Sequence, residues 1–423
     1  MRLPVLDIEE VCERQLCTGC GICASVEPDR FEMDEALEFG RRPFVKPDAA
    51  ATTGDGLACC PGVRLSHAET PREGTNPAMF DAWGPVLEVW EGWAADDAIR
   101  HGVSSGGAAT ALALHCIEAG GMERVLHTAA RADAPYLNES VFSTNRDELL
   151  TRTESRYAPA SPCDRIGEIE DLPGKSVFIG KPCDAAAVRN ARRMRSALDE
   201  KLGCVIAFFC AGAPSTKGTL AILEDAGVSD PSKVRSLRYR GNGWPGMWRL
   251  EYEDEQGEHR TVERTYAASW GFVQRYRQWR CYICPDHTGE FADLAVGDPW
   301  YREIEPDERG SSLIVVRTER GRRILQAAVE SGHIVLKHRD ETLLPRSQPN
   351  LMSARGGLWA RLLTMRIMGA KTPVFEQMPS FRFWMSELPF MQKIRAFTGT
   401  AKRVLRKGLR DRQTIRRWNP SGE

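Results

Sequence analysis

No apolar run in this 423-residue chain is long enough to cross a bilayer. Stretches such as "AATALALHCIEAG" and "CVIAFFCAG" stop well short of the roughly 20 residues a membrane helix needs. Neither charge sign is in excess. A formal net charge of -1 leaves no overall field to draw nucleic acid or an anionic surface. The first residues, "MRLPVLDIEEVCERQ", lack the basic start and apolar middle of a signal peptide. The expectation is a cytoplasmic protein with no nucleic-acid role. Also missing is the G-x-G-x-x-G fingerprint after a strand, so a standard nicotinamide-binding site is not expected. No internal repeat is visible.

What is abundant is cysteine. Thirteen in a reducing compartment point to metal or redox chemistry rather than to a disulfide framework, which a chain of this size does not need. Cys12, Cys116 and Cys204 stand alone in apolar patterns and read as small buried hydrophobes. Cys17, Cys20 and Cys23, in "CTGCGICASVEP", have the C-x2-C-x2-C spacing with which a tight loop presents thiolates to an iron-sulfur cube. The position where a ferredoxin carries its next cysteine is Glu27, followed by Pro28. A distant Cys-Pro can supply the fourth ligand, and "CCPG" offers Cys60 before Pro61. Cys17, Cys20, Cys23 and Cys60 are therefore expected to hold one 4Fe-4S cluster. Zinc is the competing occupant, since four thiolates suit it equally well.

A second set comes from pattern and position. Cys183 and Cys210 each follow an apolar strand-like run and precede a helical one, which in a parallel sheet puts them on the carboxyl edge. With the C-x2-C pair Cys281 and Cys284 they would complete a second four-cysteine site, the alternative being that Cys183 and Cys210 are buried structural thiols. In "HGVSSGGAATALALH", Ser105, Gly106 and Gly107 stand where a helix begins, a position that favours phosphate.

From Val86 the alternation of short strand-like and helical runs predicts βα units on a largely parallel sheet. The stretch "VRSLRYRGNGWPGMWRLEYEDEQGEHRTVERTY" reads as antiparallel strands. The expected fold class is α/β, α+β overall. Residues 1–65 would form a ferredoxin-like segment and 66–85 a polar linker. Residues 86–350 would form a mixed βα domain with an antiparallel part, and 351–423 a helical, basic region ending in a solvated amphipathic helix.

Taken in order, "CTGCGIC...CCPG", "SSGGAATALALHCIEAG", "SRYAPAS", "VFIGKPCDAAAV", "FFCAGAPS", "RGNGWPG" and "CYICPDHTGEFADLAVGD" resemble the coenzyme F420-reducing hydrogenase/dehydrogenase beta subunit family. The likeness covers most of residues 12 to 300. It implies FAD and one or two 4Fe-4S clusters, with Cys183, Cys210, Cys281 and Cys284 around the cluster nearest the flavin. It also implies flavin contacts at Ser105, Gly106, Gly107, Thr110, Arg156, Tyr157, Gly180 and Lys181. Two positions depart from the family pattern, Lys181 for threonine and Asp184 for glutamine. The implied activity is that of an oxidoreductase taking electrons from a ferredoxin-like donor to FAD and an organic substrate. The alternatives are a coenzyme F420-dependent enzyme, an electron-transfer subunit of a larger complex, or a non-redox zinc protein. Self-association into a homo-oligomer stays open.

Overall fold

The computed structural model describes residues 4–305 and 308–419. Its centre is an eight-stranded sheet. Four parallel strands form the middle: Leu294–Gly297, Leu202–Phe208, Ser176–Gly180 and Arg124–Ala130. Antiparallel strands extend both sides, Asn138–Ser143 on one and Ser312–Val316, Glu88–Ala94 and Ile334–Arg339 on the other. The parallel core thus matches the alternation in the sequence, while the flanks are antiparallel.

Each buried strand sends alternate side chains to opposite layers. Leu313 and Val315 enter one core with Ala187, Val188 and Ala191 of the helix Pro182–Met194. Ile314 and Val316 enter the other, with Leu112 of the helix Ala108–Glu118 and Leu325 of the helix Glu319–Glu330. A sheet covered on both faces needs near-continuous apolar strands, and these runs supply them. The predicted antiparallel stretch is a separate three-stranded sheet of Val234–Arg238, Met247–Glu253 and His259–Thr265.

Residues 66–85 are more than a linker. His67 is buried, and the helix Pro77–Trp83 inserts Phe80 and Trp83 into the interior. The polar composition hid this because its few large apolar residues, Met79, Phe80 and Trp83, turn toward the interior. The N-terminal cysteine segment packs on the main domain, with Cys20, Ile22 and Val26 in the same core as the helix Pro182–Met194. The basic terminal helix, Phe390–Arg406, is amphipathic but not simply solvated. Its Ala396, Thr400 and Val404 are buried against the helix Pro349–Ile367. The tail beyond it returns to the N-terminal segment, where the Gln413 and Trp418 N–H groups donate to the Glu13 and Glu35 carbonyls at 2.9 and 2.8 Å.

Candidate functional site

Two tight turns build the first thiol group. Gly19 and Gly21 take left-handed backbone conformations at φ 73° and 89°, which curl the chain so that Cys17, Cys20 and Cys23 share one side. Cys60 arrives from the end of the helix Asp55–Cys59. All four are buried and free of disulfides. Burial pushes the Cys23 thiol well up, and the charges of Cys17, Cys20 and Cys60 push it further. Cys60 is raised by burial and by Cys20 and Cys17. A hydrogen bond shared with Cys12 draws Cys17 down and Cys12 up, with Arg42 and Arg280 also favouring the Cys17 thiolate. Glu27 is engaged elsewhere: its carboxylate accepts from the Gly56 N–H and the Thr52 hydroxyl, both at 2.8 Å. Cys59 turns toward Met194, 3.5 Å away.

The second group lies where parallel strands end. Cys183 follows Ser176–Gly180 in the first turn of the next helix, and Cys210 follows Leu202–Phe208. Cys281 and Cys284 come from the short helix Trp279–Tyr282 and the turn after it. These four are half-buried, less enclosed than the first set. Burial raises Cys183, with Asp184, Cys210 and Cys284 adding to it. Burial and Cys281 push Cys210 up to about 12, and Cys284 rises to about 12 through burial, Asp286 and Cys281. The His287 ring bonds the Cys210 carbonyl through Nδ1 at 2.9 Å, and burial lowers it to about 4.

Four thiols that each feel the others' charge cannot all ionise unaided, because each buried anion raises the next. A bound metal centre removes that conflict by taking up the thiolate charge. Backbone donors complete the fit: Gly19 N–H lies 3.3 Å from the Cys17 sulfur and Ala213 N–H lies 3.4 Å from that of Cys281. Gly62 and Val63 donate to Cys60, and Gly212 to Cys210. Hydrogen bonds to sulfur are a principal control of cluster potential. Among the described residues, no three His, Cys, Asp or Glu side chains close on a single ion. Arg280, fully buried, stands between the groups. It donates to the Pro61 carbonyl at 3.0 Å and favours the thiolates of both Cys17 and Cys284.

The turn expected to take phosphate is largely satisfied from within. Gly106 N–H donates to the Ser312 hydroxyl at 2.9 Å and Gly107 N–H to the Ser104 carbonyl. Ser105 donates to Asp298 at 2.7 Å. The helix starts at Ala108, so the N–H groups of Ala108 to Thr110 belong to its first turn, which has no partners within the helix. Arg156, expected beside the phosphate, makes its contacts within the protein. Its guanidinium donates to the carbonyls of Pro135, Leu137 and Leu237 and to the Asn138 side chain, so it clamps loops together. Sequence could not show this, since the partners are remote. Gly180 has a packing reason: a Cβ there would meet the Phe178 ring at 2.8 Å and the Asp184 Cβ at 2.9 Å. Tyr157 packs its ring on Trp270 at 4.8 Å. Lys181 pairs with Asp184 at 2.8 Å, so the two positions flanking Pro182 and Cys183 form one ion pair.

Sequence reasoning missed Asp298. It follows the strand Leu294–Gly297, next in the sheet to the strand that leads to Cys210. Burial works against its carboxylate, but the Arg240 fork, at 2.8 Å to each oxygen, keeps it ionised, helped by Ser105 and by Trp244 Nε1 at 2.9 Å. Beside it Trp244 and Tyr266 each stack with Trp300, centroids 5.6 and 6.2 Å apart. The available signal was "GD" after an apolar strand at a carboxyl edge.

Fold and site define a mixed α/β protein with cysteine loops gathered about the carboxyl edge of a parallel core. The chain belongs to the coenzyme F420 hydrogenase/dehydrogenase beta subunit family: residues 89–166 match its N-terminal part and residues 174–342 its C-terminal part. It is 28% identical over 59% of its length to the F420-dependent formate dehydrogenase subunit beta of Methanocaldococcus jannaschii, of which the match spans 61%. It is 24% identical, over 59% of its length and 83% of the relative's, to a coenzyme F420 hydrogenase subunit beta of Methanococcus voltae. The fold is shared with a chain of the F420-reducing NiFe hydrogenase complex of Methanosarcina barkeri, at a TM-score of 0.53, 23% identity, and coverage of 71% of this chain and 98% of that one.

Proposed function

We propose that this chain is an electron-transfer subunit of an oxidoreductase complex, exchanging electrons between a one-electron carrier and a coenzyme F420-type hydride carrier. The observation that carries this reading is the pair of four-thiol groups with Arg280 between them. Bound there, two 4Fe-4S clusters and a flavin, FAD in the family's pattern, would collect single electrons and pair them for hydride transfer. Cys17, Cys20, Cys23 and Cys60 would hold the cluster farther from the substrate. Cys183, Cys210, Cys281 and Cys284 would hold the one nearer to it.

The protein's own contribution is positioning. Backbone N–H groups aimed at the sulfurs and the buried Arg280 cation offset thiolate charge. The Ser105–Asp298–Arg240–Trp244 network locks the carboxyl edge beside the aromatic surface of Trp244, Trp300 and Tyr266. A planar ring system fits such a surface, and the first turn of the helix at Ala108 to Thr110 would offer backbone N–H groups to a phosphate.

The test is anaerobic purification with iron and flavin determination. About eight iron per chain is expected, with absorbance near ~400 nm bleached by dithionite. Cys60→Ser and Cys281→Ser should each lower iron to about four while leaving the other cluster's signal. Coenzyme F420 should be reduced or oxidised by the complex. A colourless protein containing zinc would overturn the reading.

A further inference from the structure

The helix Phe390–Arg406 has two apolar faces, and only one is covered. Ala396, Thr400 and Val404, four residues apart, are buried inward. On the outside, Met391, Ile394, Thr398 and Leu405 recur at spacings of three, four and seven, which is one stripe of an α-helix. Phe390 at the helix start is 74% exposed and Leu405 is 66% exposed. The preceding helix, Phe381–Ser386, adds exposed Phe381 and Met385. Large apolar side chains gathered this way mark an interaction surface rather than ordinary surface scatter.

Charge decides what covers it. Arg395, Lys402 and Arg406 run beside the exposed stripe at spacings of seven and four, and the whole helix contains no acid. Among the described residues, these three make no ion pair. Arg412 and Arg417, by contrast, are consumed by Glu13 and by Glu32 and Asp34 of the N-terminal segment. A chain with a net charge of -1 thus leaves a one-signed row of cations without ion pairs, among the described residues, on a helix that exposes Phe390, Met391, Ile394 and Leu405. An acidic protein partner would answer the cations, but not the large apolar side chains that run along the helix beside them. A surface of uniform negative charge over an apolar layer asks for cations of one sign beside large apolar side chains.

We propose that this face rests on an anionic phospholipid bilayer, with Phe390, Met391, Ile394 and Leu405 among the acyl chains and Arg395, Lys402 and Arg406 at the headgroups. Attachment is peripheral, since no helix among the described residues is long and apolar enough to cross a membrane. The opposite side of the helix reaches the second thiol group: Arg403 lies over the Tyr282 ring at 5.0 Å, between Cys281 and Cys284. The docked face therefore stands directly behind that loop. The face lies outside residues 89–342, where the family matches fall, and the proposal does not depend on the proposed function.

The experiment is sedimentation of the full chain with phosphatidylcholine vesicles and with mixed phosphatidylcholine/phosphatidylglycerol vesicles. Pelleting is expected with the mixed vesicles, weakening as salt rises, and little with phosphatidylcholine alone. Arg395→Gln/Lys402→Gln/Arg406→Gln should weaken binding about a hundredfold, from roughly fivefold per cation. Phe390→Ser/Ile394→Ser/Leu405→Ser should weaken it about tenfold or more at unchanged charge. Every substituted side chain is exposed, and unchanged circular dichroism and elution volume confirm the fold. Full binding by the apolar triple variant overturns the proposal, because charge alone would then suffice. A protein that ignores the mixed vesicles also overturns it, including the case in which an acidic ferredoxin binds this face instead.

Discussion

The Lys181–Asp184 pair offers a sharp test of how a buried ion pair supports the turn that carries Cys183. Asp184 is fully buried and accepts from the Lys181 backbone N–H at 2.7 Å and from its ammonium at 2.8 Å. Burial raises the Asp184 carboxyl despite Lys181. The Lys181 ammonium is opposed by burial too, but is held above its usual range by Asp184, Cys183 and Cys210. Two unit charges about 4 Å apart attract by about 4 kcal/mol at an effective dielectric of about 20, and this pair is closer. Removing one partner strands the other, at a cost of about 3–5 kcal/mol. At about 2–4 °C per kcal/mol for a unit the size of the central domain, Lys181→Thr alone should lower Tm by about 10 °C. The double variant Lys181→Thr/Asp184→Gln leaves no charge at either position, so it should lie within a few degrees of wild type. The assay is anaerobic thermal unfolding of wild type, both single variants and the double, with iron content measured on each. Single variants that shift Tm by less than about 2 °C, or a double whose loss equals the sum of the singles, would refute the coupling.

Two further outcomes follow from the same structure. His127, buried and bonded through Nε2 to the Ser143 hydroxyl at 2.9 Å, is lowered by burial to about 4 from its ordinary 6.5. The unfolded chain therefore binds this proton first, and stability is full above about pH 6.5 and declines by up to about 3 kcal/mol as pH falls toward 4. His127→Gln should flatten that part of a pH–stability curve, and an unchanged curve would assign the acid loss to other groups. Truncation after Lys407 removes the bonds from Gln413 and Trp418 and the ion pairs of Arg412 and Arg417 to the N-terminal segment. Amide exchange in residues 4–45 should rise at least about tenfold while the central sheet is unaffected. Equal rates in both chains would make the tail a mere surface coil.

Much of the architecture was legible locally. Buried parallel strands need continuous apolar runs, so "SVFIG" and "CVIAFFC" announce themselves, and a thiol just after such a run is bound to lie on the carboxyl edge. The C-x2-C-x2-C turn is legible for the same reason: its shape is set by Gly19 and Gly21 within the loop itself. Sequence alone therefore determined the sheet core, the cysteine spacing and the family. The rest required the folded chain. The bonds of Arg156 to three distant carbonyls are invisible in "SRYAPAS", and residues 66–85 looked like a linker because His67, Phe80 and Trp83 meet their partners far along the chain. The ion pair of Lys181 with Asp184, the placing of Arg280 between two thiol groups and the network around Asp298 are likewise products of tertiary contact. Local patterns record what a residue does within its own element. A buried charge is settled by whichever remote group arrives to neutralise it, and only the packed chain determines which group that is.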